Sequence, residues 1–91
     1  MKEYYVYIMS SINKNLYVWV TNNLEKRVYE HKNNLLKWFT SKYKIHKLVF
    51  YENFQNIDDA IASEKKLKNW RRQWKIDLIE KNNPNWNDLS C

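Results

Sequence analysis

The sequence predicts an α+β fold, a three-stranded antiparallel sheet flanked by helices in the order β-β-α-β-α-α. Residues 4–9, 16–20 and 47–52 are short runs dense in β-branched and aromatic side chains, which read as strands. Three other segments repeat apolar residues every three or four positions, which reads as helix. The polar segment 10–15 between the first two strands is short enough to make them an antiparallel hairpin.

By the two-residue period of a strand, Tyr5, Tyr7 and Met9 share one face of the first strand. Tyr17, Trp19 and Thr21 share the matching face of the second, and pairing about the hairpin centre sets Tyr7 opposite or nearly opposite Tyr17. Thr21-Asn22-Asn23 is a helix N-cap signal. Leu24, Arg27, Val28, His31 and Leu35 then recur at helical spacing, predicting a helix over 23–33 that Asn33-Asn34 ends. Residues 35–45 read as irregular and basic, anchored by Trp38 and Phe39, and lead into the third strand. Ile57-Asp58-Asp59 opens the second helix, with acids where the macrodipole favours them. Its stripe is Ile57, Ala60, Ile61, Glu64 and Leu67. Over 70–81, Trp70, Trp74 and Leu78 fall at i, i+4 and i+8 with Ile76 and Ile79 beside them; Pro84 stops this helix, and Trp86 and Leu89 pack back.

At 91 residues the chain is expected to be one domain spanning 1–91. No stretch approaches the roughly 18 apolar residues of a membrane span, and residues 1–3 lead straight into a strand. The lone Cys91 leaves no internal disulfide and no zinc spacing. The expectation is a cytoplasmic protein without a membrane or secretory segment. Sixteen Lys and Arg against ten Asp and Glu give a net charge of +6, which suggests a polyanionic partner, most simply nucleic acid. The positive charge gathers in two places. Residues 26–47 hold seven Lys or Arg against one acid, including Lys37, Lys42 and Lys44. Lys65, Lys66, Lys68, Arg71, Arg72 and Lys75 cluster around the end of the second helix. Each is a candidate phosphate contact, the alternative for any one being a solvated surface charge.

Glycine is absent. Tight turns therefore fall to Asn, Asp or Ser, and Asn is abundant and the best non-glycine residue for left-handed backbone. Without glycine there is no phosphate-cradling loop, so P-loop hydrolases and dinucleotide-dependent dehydrogenases are excluded, and no nucleotide cofactor is expected. Ser-His-Asp spacing and HExxH are absent too.

Glu64 is the most informative residue, a carboxylate on the stripe that should face the core. Such a group must be paired with Lys or Arg, reach solvent at the stripe edge, or hold a metal. Arg27 and His31 lie one turn apart on one helix face. They form either a solvated basic face or a phosphate clamp with a proton shuttle. A Tyr7–Tyr17 pair is either packing or, beside cations, a general base.

Five motifs in order, YVYIM at 5–9, LYVWVTNNL at 16–24, RVYEH at 27–31, AIASEKKLK at 60–68 and WRR at 70–72, resemble the GIY-YIG nuclease superfamily over nearly the whole chain, and its small stand-alone bacterial members in particular. The resemblance implies one divalent metal, Mg²⁺ or Mn²⁺, and hydrolysis of a nucleic-acid phosphodiester, with DNA as the expected partner and RNA left open. It implies that Tyr7 and Tyr17 are the tyrosines of the two naming motifs, Arg27 the helix arginine and Glu64 the metal-binding glutamate. His31 matches a position that is often histidine, and the late asparagine falls at Asn83. The expected activity is a metal-dependent DNA endonuclease. The alternatives are a catalytically silent nucleic-acid-binding member of the same fold and a protein-interaction module. The chain departs from the superfamily at its glycines: Trp19 stands at the second-motif glycine and Trp38 where relatives have glycine before Phe-Thr. UGA, read as Trp or Gly in different genetic codes, links the two residues, so a UGA codon at both positions is one expected origin, and a deliberate glycine-free redesign the other. Trp19 lies on the Tyr17 face, where an indole occupies space that phosphate or water would need.

Overall fold

The computed structural model describes residues 3–35 and 42–90. Its elements are β1 (Tyr4–Ser10), β2 (Leu16–Thr21), α1 (Leu24–Lys32), β3 (Lys47–Phe54), α2 (Ile57–Asn69) and α3 (Arg72–Asn82). This is the predicted α+β order. The strands form one sheet in the order β2-β1-β3 with both pairings antiparallel. Among the described residues no helix is long and apolar enough to cross a membrane.

The central strand explains the layering. Val6, Tyr7, Ile8 and Met9 are all fully buried, so both faces of β1 are covered. On one face Val6, Ile8, Val18, Val49 and Phe50 pack with Ala60 and Leu67 of α2, Ile79 of α3 and Trp86. On the other, Tyr7, Met9 and Leu48 pack with Val28 of α1 and Ile45, with Tyr17 and Leu24 at the margin. Helix α1 therefore covers one face and α2 and α3 the other.

Side-chain caps set the helix starts. Asn23 accepts from the Lys26 amide at the start of α1, and Asn56 from the Asp58 amide at the start of α2. The hairpin turn closes on Ser11, whose hydroxyl accepts from the Asn15 amide at 3.0 Å.

The structure refines one expectation and corrects two. Tyr7 lies opposite Trp19, and Tyr17 opposite Met9, so the two tyrosines are diagonal neighbours on one face. The third helix begins at Arg72, because Trp70 and Arg71 are extended, with ψ of 150° and 148°. That break resets the phase of the stripe: Ile79 is buried, whereas Trp74 is 49% exposed. Asparagine does not carry the left-handed turns alone. Of the positive-φ residues among those described, Asn34 fits, but Lys14, Lys44 and Trp86 adopt φ of 63°, 52° and 54°. Each of these three strains the chain by about 1–2 kcal/mol. At two of them a compensating contact is present. The Lys14 carbonyl accepts from Arg72 Nη2 at 2.6 Å, and the buried Trp86 indole donates to Glu80 Oε2 at 2.8 Å.

Candidate active site

The site assembles around the exposed edge strand, β2. Tyr17 and Trp19 alternate onto the α1 face of the sheet and stack on one another, with ring centroids 6.1 Å apart and planes 24° from parallel. Met9 of β1 faces Tyr17, and Tyr7 is the next residue along β1 on that face.

Helix α1 supplies the next two groups. Its register puts Val28 and His31 inward, and His31 is only 1% exposed. The His31 Nε2 and the Tyr7 hydroxyl are 3.1 Å apart, and the imidazole meets both Tyr7 and Tyr17 edge-on, at 5.8 and 5.1 Å between centroids. The His31 Nδ1 is buried and finds no hydrogen-bond partner among the described residues. Arg27, one turn earlier, is half-exposed and lies 3.6 Å from Glu30 Oε1. Its charge acts on Tyr7, Tyr17 and His31 together.

Helix α2 supplies the carboxylate from the opposite face of the sheet. Glu64 is 8% exposed, on the stripe with Ala60 and Leu67 as its spacing predicts. Its partner is Lys68, one turn on, at 2.5 Å from Oε2. The Lys68 ammonium also lies 3.7 Å from the Trp19 ring centroid. Glu64 raises the proton affinity of the Tyr17 phenol, so its charge reaches the far side of the edge strand.

Burial dominates the proton affinities. It pushes the Tyr7 phenol up, with Tyr17 adding to the shift, Arg27 opposing it and Glu30 adding again. It also pushes Tyr17 up, opposed by Arg27 and reinforced by Glu64. Both phenols are therefore protonated at neutral pH. Burial, aided by the Arg27 and His46 charges, lowers His31 from 6.5 to about 4, so the imidazole is neutral. A neutral imidazole at 3.1 Å from the Tyr7 hydroxyl can accept its hydrogen bond and so orient it.

The same shift fixes a pH response. The unfolded chain binds a proton on His31 below 6.5, whereas the folded chain resists until about 4. Stability is therefore lost as pH falls through that window, by about 2 kcal/mol between pH 7 and pH 5. Thermal melts of the native protein and His31→Gln should show this as a steeper acid-side decline in the native chain; parallel profiles would refute it.

Asn83 lies away from this cluster in its contacts. The sheet register steps from Ile8–Phe50 to Met9–Leu48, so β3 carries one extra residue, Val49. The Asn83 amide donates to the Val49 carbonyl at 3.2 Å and to the Asn87 carbonyl at 2.8 Å, and its oxygen accepts from the Asn87 amide at 3.0 Å. It thereby satisfies a buried backbone group that the bulge disrupts. Asn83→Ala should destabilise the fold by about 1–3 kcal/mol, read as a fall of about 5 °C or more in Tm. An unchanged Tm would refute this holding role.

The basic residues fare differently. Lys65 is exposed, and Arg71 lies over the Trp74 ring at 5.5 Å. Lys68 is held by Glu64 and Trp19, and Arg72 by the Lys14 carbonyl. Lys75 has its proton affinity lowered by burial and by the adjacent Arg72. Lys42 and Lys44 are exposed, with Lys42 Nζ 5.7 Å from the Tyr43 ring. Lys37 and Trp38 lie outside the described residues. Three contacts carry weight that sequence reasoning gave them only in outline or not at all. Glu30 against Arg27 and Lys68 against Glu64 are legible as i,i+3 and i,i+4 pairs. Asp88 against Lys32 spans 56 residues and has no sequence signal.

The chemistry of Glu64 fits a hard divalent cation. Among the described residues no three His, Cys, Asp or Glu side chains come together, so such an ion would take one carboxylate and complete its shell with water. The carboxylate already holds a cation, the Lys68 ammonium.

A family model described as the GIY-YIG catalytic domain matches residues 3–77. Among solved structures, the chain is similar to the solution NMR structure of the UPF0213 protein BH0048 from Bacillus halodurans. The two share 20% identity over 97% of this chain and 94% of that one, with a TM-score of 0.62, a likeness of fold. Comparison with curated proteins gives no match.

Proposed function

The chain belongs to the GIY-YIG catalytic-domain family of nucleases, and on that premise we propose that it is a metal-dependent endonuclease acting on DNA in a reducing, cytoplasmic setting. The observation that carries the reading is the meeting at the edge strand of Tyr17, edge-on to His31 of α1 and stacked on Trp19, with the Lys68–Glu64 pair of α2 that touches the same Trp19 ring.

In this reading Glu64 holds Mg²⁺ or Mn²⁺, which when bound polarises a phosphoryl oxygen and stabilises the leaving oxygen. Arg27, half-exposed and next to the phenols, clamps a non-bridging oxygen and stabilises charge that develops there. Tyr17 orients the attacking water. Tyr7 and His31 lie buried behind it, where the neutral imidazole and the Tyr7 hydroxyl, 3.1 Å apart, hold one another's orientation. Asn83 acts through the backbone it holds rather than at the phosphate. The exposed cations Lys65 and Arg71, with Lys42 and Lys44, supply phosphate contacts, and Lys37 joins them by its place in the basic segment.

One observation favours a second reading, a nucleic-acid-binding protein with little catalysis. Trp19 lies against Tyr17, and Lys68 occupies the Glu64 carboxylate. The test is a cleavage assay over a panel of labelled single-stranded, duplex, flap and branched DNAs with Mg²⁺ or Mn²⁺, run with the native protein, Trp19→Gly and Glu64→Gln. Metal-dependent nicking that disappears in Glu64→Gln supports the nuclease. Salt-sensitive binding with no cleavage by either the native or the Trp19→Gly protein supports the second reading.

A further inference from the structure

We propose that Lys68 is an internal counter-cation that locks the Glu64 locus against a divalent metal, with Trp19 as the latch that holds it there. The inference rests on the reading of Glu64 as the metal ligand. It comes from two contacts made by one ammonium group: 2.5 Å to Glu64 Oε2 and 3.7 Å to the centroid of the Trp19 ring.

Two facts set the Lys68 ammonium against a metal at Glu64 Oε2. A divalent ion on a carboxylate oxygen sits at about 2.0–2.2 Å, and an ammonium at hydrogen-bond distance from the same oxygen leaves no room for it on that side. The two cations also repel in a site where Glu64 is largely withdrawn from water. Trp19 makes the arrangement persistent. The indole is the best aromatic partner for an ammonium, and it is itself stacked on Tyr17. Lysine at i+4 of a glutamate on an exposed helix is ordinarily a loose, solvent-screened pair. Here the second contact, across from α2 to the edge strand, takes away much of the freedom of the lysine stem. A metal at Oε2 must displace Lys68 before it loads, and the Lys68 side chain, 39% exposed, can swing toward solvent when it does.

The test is direct Mn²⁺ binding at pH 7, read from the loss of the free-ion electron paramagnetic resonance signal. The proteins are the native chain, Lys68→Met, Trp19→Gly, Glu64→Gln and Lys65→Met. Methionine keeps the stem without the charge, and Lys65→Met, on an exposed position of the same helix, removes an equal charge without touching the lock. Thermal melts establish that each variant is folded. The expected result is Mn²⁺ affinity at least tenfold tighter in Lys68→Met, an intermediate gain in Trp19→Gly, less than threefold change in Lys65→Met, and loss of binding in Glu64→Gln. Glu64-dependent binding equally tight in the native and Lys68→Met proteins overturns the lock and leaves the metal reading standing. An equal gain in Lys65→Met also overturns it, as bulk electrostatics. No Glu64-dependent binding in any of the proteins overturns both. Tighter binding in a Lys68→Met protein that cleaves no DNA upholds the lock and overturns the nuclease.

Discussion

Glu64→Gln is expected to lower metal-dependent cleavage by about 100- to 1,000-fold, as when one charge-stabilising group is removed from a transition state. Glutamine has nearly the same shape, so the packing of the Ala60–Glu64–Leu67 stripe survives. What it loses is the anionic charge that a divalent ion needs and that the Lys68 ammonium now satisfies. The fold should therefore melt within a few degrees of the native protein while activity collapses. Added Mn²⁺ should not restore it. Cleavage by Glu64→Gln at the native rate would remove Glu64 from the chemistry and make its burial beside Lys68 a purely structural pair.

Trp19→Gly is expected to act in the opposite direction on activity while lowering stability. The indole covers Tyr17 and latches Lys68, so its removal opens the phenol to water and phosphate and loosens the cation on Glu64. Cleavage should rise at least tenfold. Stability should fall, because glycine within a strand loses about 0.5–1 kcal/mol and the lost aromatic contact a further 0.5–1.5 kcal/mol or so. Trp19 is 40% exposed on an edge strand, so no cavity adds to that loss. A variant that is less stable yet faster identifies a side chain that obstructs rather than builds the site. Equal rates for the native and Trp19→Gly proteins on one substrate would refute the obstruction.

The two variants also separate effects that burial alone would confuse. Tyr7 and His31 are buried as deeply as any core residue, and their mutual contact serves packing whether or not a proton moves. Trp19 is half-exposed on the edge strand, where packing constrains less, and Gln keeps the shape of Glu64 on α2, so both changes report on chemistry more cleanly.

The sequence by itself determined the element order, the cap of the first helix and the faces. Strand alternation was enough to put Tyr7, Tyr17 and Trp19 on one surface, and the four-residue spacing enough to turn Glu64 inward with Ala60 and Leu67. These are local properties, set by periodicity and by side chains such as Asn23 and Asn56 that bond to their own backbone. Only the tertiary structure decided the rest. Strand register depends on which residues the turn consumes, and it placed Trp19, not Tyr17, across from Tyr7. The break at Trp70–Arg71 rotated the last helix, since a two-residue extended link erases the phase that a continuous stripe would keep. Asn83 reads in sequence as a late polar residue and becomes, in space, the donor for a bulged carbonyl 34 residues away. Lys68 reads as one of many surface cations, and only the meeting of α2 with the edge strand brings it onto Trp19. Spacing along the chain reports what a helix or strand does with its own neighbours; which cation finally neutralises a buried carboxylate is settled by the packing of one element against another.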